Sequence, residues 1–154
     1  MTSRREFVIA TGGLAGGVKL ASVSRETHAT PEAMQQALRK VTGNATVRRG
    51  RVKLELPPLI DNGNAVPMTV SVESPMTPAD HVKAIHVVTE KNPQPNVVSV
   101  FLGPRAGGAR MTTRIRIATS QTVTAVAELS DGTFWSGTTD VVVTLSACLE
   151  EGLI

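Results

Sequence analysis

Cys148 is the only cysteine in a chain of 154 residues, and it stands in the closing stretch TLSACLEEGLI. A thiol in that position serves as a nucleophile, as a bond to another chain, or as a small buried hydrophobe. Other chemistry-bearing side chains are sparse. His81 and His86 are five positions apart, which puts them on opposite faces of a strand, and no carboxylates at ligand spacing complete a metal shell around them. No Gly-x-Ser-x-Gly elbow is present. The loop GPRAGGAR lacks the Gly-Lys and Ser/Thr of a phosphate cradle, so a hairpin loop needing positive φ is the simpler expectation, with Arg105 as a candidate anion contact. Arg110, Arg114 and Arg116 mark one basic strand face; Arg48, Arg49, Arg51 and Lys53 mark a second. Such stripes are solvated faces, or surfaces that steer an acidic partner or small anion. No motif calls for a cofactor.

What a lone thiol does depends on its compartment, and the N-terminus speaks to that. Arg4 and Arg5 form an adjacent pair, Phe7 and Val8 follow closely, and residues 8–18 are small, apolar and uncharged. That order predicts a twin-arginine export signal. The run is far shorter than the roughly 20 residues of a membrane-spanning helix, and Lys19 interrupts it, so no membrane span is expected. Thr27 and Ala29 suit the −3 and −1 positions of a cleavage site, dividing the chain into a signal over 1–29 and a single domain over 30–154. Cleavage would remove two of the three net positive charges. The remaining domain is nearly neutral and keeps only Phe101, Phe134 and Trp135 as aromatics, which argues against nucleic acid, since single strands need stacking platforms. In the oxidising periplasm an unpaired cysteine invites a functional explanation.

The elements that must position Cys148 read mostly as strands. Thr30-Pro31 predicts an N-cap and first helical turn, Met34, Leu38 and Val41 recur at helical spacing, and Gly43 ends the helix. Beyond it the period becomes two: Val52, Leu54 and Leu56 alternate until Pro57-Pro58, DNGN reads as a turn, and Val66, Met68, Val70 and Val72 alternate again. Pro67 suggests that this strand begins at a sheet edge. Residues 81–90 favour strand through their β-branched content, with a short helical start as the alternative. Further runs surround Val98 and Val100, Ile115 and Ile117, and Val123 to Leu129; Asp131-Gly132 signals a hairpin into the last strand. Continued alternation there sets Val141, Val143, Leu145, Ala147 and Leu149 on the apolar face and Cys148 on the other. Seven or eight short strands and one short N-terminal helix predict an all-β, antiparallel β-sandwich.

In combination, the pieces LPPLIDNGNAVP, KNPQP, LGPRAG and TRIRIATSQ resemble the SoxY family, the carrier subunits of bacterial thiosulfate oxidation, across essentially all of residues 30–154. The resemblance implies an immunoglobulin-like sandwich, export to the periplasm by the twin-arginine route, and pairing with a SoxZ-like subunit. It also implies a division of labour. A cytochrome joins thiosulfate oxidatively to a C-terminal cysteine, a hydrolase and a sulfur dehydrogenase process the adduct, and the carrier performs no turnover of its own. On this chain the carrier cysteine corresponds to Cys148.

The family's arm is Gly-Gly-Cys-Gly-Gly, whereas here Ser146 and Ala147 precede Cys148 and Leu149 and Glu150 follow it. Without glycine the arm is stiffer and bulkier. Glu150 and Glu151 disfavour the thiolate, which is the nucleophilic form. The apolar Leu153 and Ile154 suit a tail that docks rather than swings. Three readings therefore stand: a carrier of thiosulfate-derived sulfur on Cys148, a SoxZ-pairing scaffold whose cysteine is structural, and a carrier of another sulfur compound.

Overall fold

Local sequence dictates the one helix and its limits. In a computed structural model that describes residues 30–145, Thr30 caps helix α1 (Pro31–Thr42), its hydroxyl accepting from Ala33 N at 3.2 Å, with proline in the first turn. Gly43 closes the helix at φ +61°, donating to Arg39 O at 2.8 Å. Met34 is buried and α1 lies against strand β5.

The strands follow as β1 (Val47–Arg49), β2 (Val52–Glu55), β3 (Leu59–Asn62), β4 (Val66–Val72), β5 (Val82–Thr89), β6 (Asn96–Phe101), β7 (Arg110–Ile115), β8 (Gln121–Leu129) and β9 (Phe134–Leu145). One sheet runs β1-β9-β8-β5-β6, with β3 also on β9; the other runs β2-β4-β7. Between them sits the core, including Met68, Val70, Ile85, Val87, Ile117, Val123 and Leu129. This is the expected all-β sandwich of two sheets with one short helix.

Several local expectations need correction. β3 takes in Asp61 and Asn62 from the expected turn cluster, leaving the turn at Gly63-Asn64, because the chain leaving Pro57-Pro58 finds an open edge on β9. Leu59 pairs with Val142 and Asn62 with Leu145, and this ladder is parallel. β1 also runs parallel to β9, so the sandwich is not purely antiparallel. β4 is the middle strand of its sheet, yet β2 pairs only with Thr69 to Val72; at Pro67 β4 has β7 alone as neighbour, which spares the proline a missing ladder bond on the other side. GPRAGGAR is no hairpin loop. β6 and β7 belong to different sheets, and the segment crosses between them, with Gly107 at φ +72°. β5 is strand throughout, buried on both faces: Ile85 and Val87 reach the core, and Ala84, His86 and Val88 are buried on the other side.

The second basic stripe is divided by a change of sheet. After β1 the chain turns through Gly50 at φ +117° and Arg51 at φ +57° and enters β2 in the opposite sheet. Val52 crosses so close over β9 that a Cβ on Gly137 would collide with the Val52 carbonyl oxygen. Arg48 and Arg51 thereby stack on Trp135, their guanidinium carbons 5.7 and 5.5 Å from the ring centre.

Candidate functional site

The last described strand decides where Cys148 begins its reach. β8 accompanies β9 only as far as Val141, opposite Gln121. Beyond that point β9 is held by other groups: Val142 N donates to Pro58 O at 2.9 Å, Val143 N to Ser120 Oγ at 2.9 Å, and Thr144 Oγ1 to Ile60 O and Asp61 O at 3.3 and 3.2 Å. These bonds fix the direction of exit. Cys148 itself, like Arg4, Arg5 and the whole 1–29 signal expectation, lies outside the described residues. It stands three positions beyond Leu145, a reach of at most about 10 Å. Beside the exit, Leu59 and Val142 face one another across the β3–β9 ladder and are 59% and 54% exposed, an apolar pair open to a partner.

At the same end, KNPQP builds a polar knot. Asn92 is buried; its Nδ2 donates to Arg116 O at 2.7 Å, and its Oδ1 accepts from Ala118 N and Gln121 Nε2, both at 2.9 Å. Gln121 Oε1 in turn accepts from Lys91 N at 2.7 Å. The knot ties the β5–β6 loop to the chain after β7 and to the start of β8. It sets the position of Arg116 and of the groove next to it, a space of about 540 Å³ between the unpaired edges of β6 and β7, lined by Asn92, Val97, Val98, Arg114, Ile115 and Arg116. In the sequence Asn92 stands out only as a member of KNPQP; an asparagine among prolines is a common turn signal, and nothing in its spacing reveals these three bonds.

Of the arginines singled out, Arg114 and Arg116 share the exposed face of β7 and its extension, beside the β9 exit. Arg105 is not with them. It lies in the crossover that precedes β7, at the opposite end of the sandwich, so the three do not form one anion site. Arg48, Arg51 and Trp135 form a separate cluster whose indole Nε1 donates to Thr133 Oγ1 at 3.1 Å, and Thr133 donates to Asp131. The Thr133 hydrogen bonds hold the Asp131 carboxyl below its ordinary range.

The two histidines have separate local partners. His81 Nδ1 is 3.1 Å from Thr77 O, and His86 Nδ1 is 2.8 Å from Ser99 Oγ. His86 also meets Phe101 edge-on at 5.9 Å. Burial lowers the His86 pKa below its ordinary value, and the Glu128 charge opposes that shift. Among the described residues, no three His, Cys, Asp or Glu side chains gather to hold a metal, and no helix is long and apolar enough to cross a membrane.

Comparison with known proteins gives this geometry a context. The family described as "Sulfur oxidation protein SoxY" matches residues 38–148, an interval that reaches Cys148. The sulfur carrier protein SoxY of Chlorobium limicola f thiosulfatophilum superposes with a TM-score of 0.61 at 23% identity, over 73% of this chain and 96% of that one. A superoxide reductase (neelaredoxin) from Ignicoccus hospitalis superposes at 0.54 with 16% identity, over 77% and 96%, and the Nanoarchaeum equitans superoxide reductase at 0.52 with 11%, over 62% and 100%. No curated protein sequence matches significantly. At these identities the structural likenesses speak for the sandwich alone, which serves a carrier and a reductase equally.

Proposed function

This chain belongs to the SoxY family, and from that premise we propose that it is a periplasmic carrier that holds thiosulfate-derived sulfur covalently on Cys148 and presents it to partner enzymes. The observation carrying the reading is the family match, which extends to the single cysteine of the sequence. Supporting it, β9 is pinned on both sides up to Thr144, so the segment bearing Cys148 leaves the sandwich from a fixed point. A carrier needs such a base.

The loading chemistry follows from the thiol. Cys148 loses its proton, its sulfur bonds to the terminal sulfur of thiosulfate, and two electrons pass to a cytochrome partner. The product is a cysteine S-thiosulfonate, which a hydrolase and a sulfur dehydrogenase then process. The sandwich provides placement and docking and performs no turnover. Within the same reading it is immunoglobulin-like, arrives by the twin-arginine route through Arg4 and Arg5, and pairs with a SoxZ-like subunit for which the exposed Leu59–Val142 pair is a suitable apolar contact. Arg114 and Arg116 would attract the anionic adduct or an acidic partner surface.

The scaffold alternative keeps the SoxZ-like pairing and makes Cys148 structural, in accord with the non-glycine sequence SACLE. Replacing Cys148→Ser and following both assembly and thiosulfate-dependent growth separates the two. The carrier reading expects an intact complex with growth abolished; unchanged growth with an intact complex refutes it.

A further inference from the structure

The turn between β1 and β2 gathers Arg48, Arg49 and Arg51 around the only tryptophan of the chain. Arg48 is the register neighbour of Trp135 in the β1–β9 ladder. Gly50, at φ +117°, passes beside the indole, where a Cβ would touch Cζ3 at 3.6 Å, and Arg51 then takes φ +57°. That left-handed region suits glycine or asparagine, and an arginine held in it is strained. The strained turn brings a second guanidinium to the ring on which Arg48 already stacks, at 5.5 and 5.7 Å from its centre for Arg51 and Arg48. Trp135 is itself anchored, since its Nε1 donates to Thr133 Oγ1, which donates to Asp131.

Arg48 and Arg49 are exposed and Arg51 is half-buried. Among the described residues the ion pairs join Lys53 to Glu55 and Lys83 to Glu128, and none of the three arginines has a carboxylate at ion-pair distance. A guanidinium resting on an indole keeps its N–H edges for a planar anion, and a carboxylate matches that fork with two hydrogen bonds. Holding two guanidiniums against the ring also lowers the rotamer entropy lost when a partner binds. Tryptophan and arginine are the side chains that most often dominate the energy of an interface. The cluster is compact and bordered by acid: Asp131 lies at the end of the Trp135–Thr133 chain of bonds, and Glu73 N donates to Arg51 O at 2.8 Å. A nucleic acid backbone needs a continuous basic track, which these carboxylates interrupt. Carboxylates spaced on a protein surface carry no such requirement.

We propose that Arg48, Arg49 and Arg51, organised around Trp135, form a docking point for an acidic surface of another protein. It is remote from the β9 exit: Trp135 and Leu145 are ten positions apart on one strand, about 33 Å. A partner held there leaves the exit at Leu145 unobstructed, so in the carrier reading docking and delivery use opposite ends of the sandwich. The proposal goes beyond that reading and does not rest on it, since a scaffold would dock in the same way.

The probe is labelled poly-L-glutamate, with binding to the purified protein followed by anisotropy of the polymer and by the emission of Trp135, the sole indole. Arg48→Gln with Arg51→Gly removes both stacked guanidiniums and keeps the turn, because glycine takes φ +57° without strain. Arg114→Gln with Arg116→Gln removes equal charge at the other end of the sandwich. Binding is expected to shift Trp135 emission. Affinity is expected to fall about tenfold or more in the first variant and less than about twofold in the second, the contrast between an interface hot spot and a general charge effect. Equal losses in the two variants, or binding that leaves Trp135 emission unchanged, would overturn the proposal. So would duplex DNA or phosphatidylglycerol vesicles binding more tightly than poly-L-glutamate through the same arginines. None of these failures touches the Cys148 reading, because the experiment contains no thiosulfate.

Discussion

Replacing Asn92→Ala probes the polar knot beneath the groove. The substitution removes three hydrogen bonds of 2.7, 2.9 and 2.9 Å and leaves the Arg116 carbonyl, the Ala118 N–H and the Gln121 amide without their partner. Each orphaned buried group costs about 1–3 kcal/mol, offset where water enters the vacated space. The expected loss is about 3 kcal/mol, a large part of the 5–15 kcal/mol typical of a domain. With a urea slope of about 1.5 kcal/mol/M, the unfolding midpoint falls by about 2 M. Asn92→Asp sharpens the test. A carboxylate keeps both acceptor roles but sets a second acceptor against the Arg116 carbonyl, so its penalty should shrink in acid, where the protonated group donates. A loss below about 1 kcal/mol for the alanine variant, or an aspartate penalty indifferent to pH, would refute the knot as described.

Three further substitutions address other parts of the fold. Gly137→Ala drives a methyl into the Val52 carbonyl where the chain changes sheets, and should cost about 1–3 kcal/mol in urea unfolding; a neutral result would contradict the crossing. Thr89→Val should be neutral or stabilising by about 1 kcal/mol, because the Thr89 hydroxyl is fully buried without a partner; a clear loss of stability counts against that assignment. His86 has a lowered folded pKa, so between its unfolded value near 6.5 and that lower value the unfolded chain binds more protons and stability falls as pH drops. His86→Gln should flatten the decline that begins as pH falls through about 6.5, and an unchanged slope would point to other groups. The depressed carboxyl of Asp131 acts in a separate window: its stabilisation is present above the ordinary carboxylate pKa and is lost in stronger acid.

Strands with one face in the core were legible because their alternation is local: β4, β8 and the β8–β9 turn at Asp131-Gly132 follow from side-chain period and turn chemistry. β3 was not, because four residues after two prolines carry no periodic signal, and its existence depends on the free edge of β9. The stacking of Arg48 and Arg51 on Trp135 depends on two consecutive positive φ values at Gly50 and Arg51, which pattern reasoning has no means to anticipate for an arginine. At the candidate site, sequence singled out Cys148, Arg105, Arg114 and Arg116; the crossover carries Arg105 to the end of the sandwich opposite Arg114 and Arg116. Nothing in the sequence singles out Asn92, because its importance comes from partners 24 to 29 positions away.

The shared sandwich explains why a carrier and superoxide reductases superpose on the same chain: two sheets packed face to face place no demand on what the last strand delivers. The proposed carrier function rests on Cys148. Intact-mass analysis of the protein with its SoxZ-like partner and cytochrome, with and without thiosulfate, tests that most directly. The account predicts a thiosulfate-dependent adduct that reductant removes and that Cys148→Ser abolishes. An unmodified thiol in the presence of competent partners would contradict it.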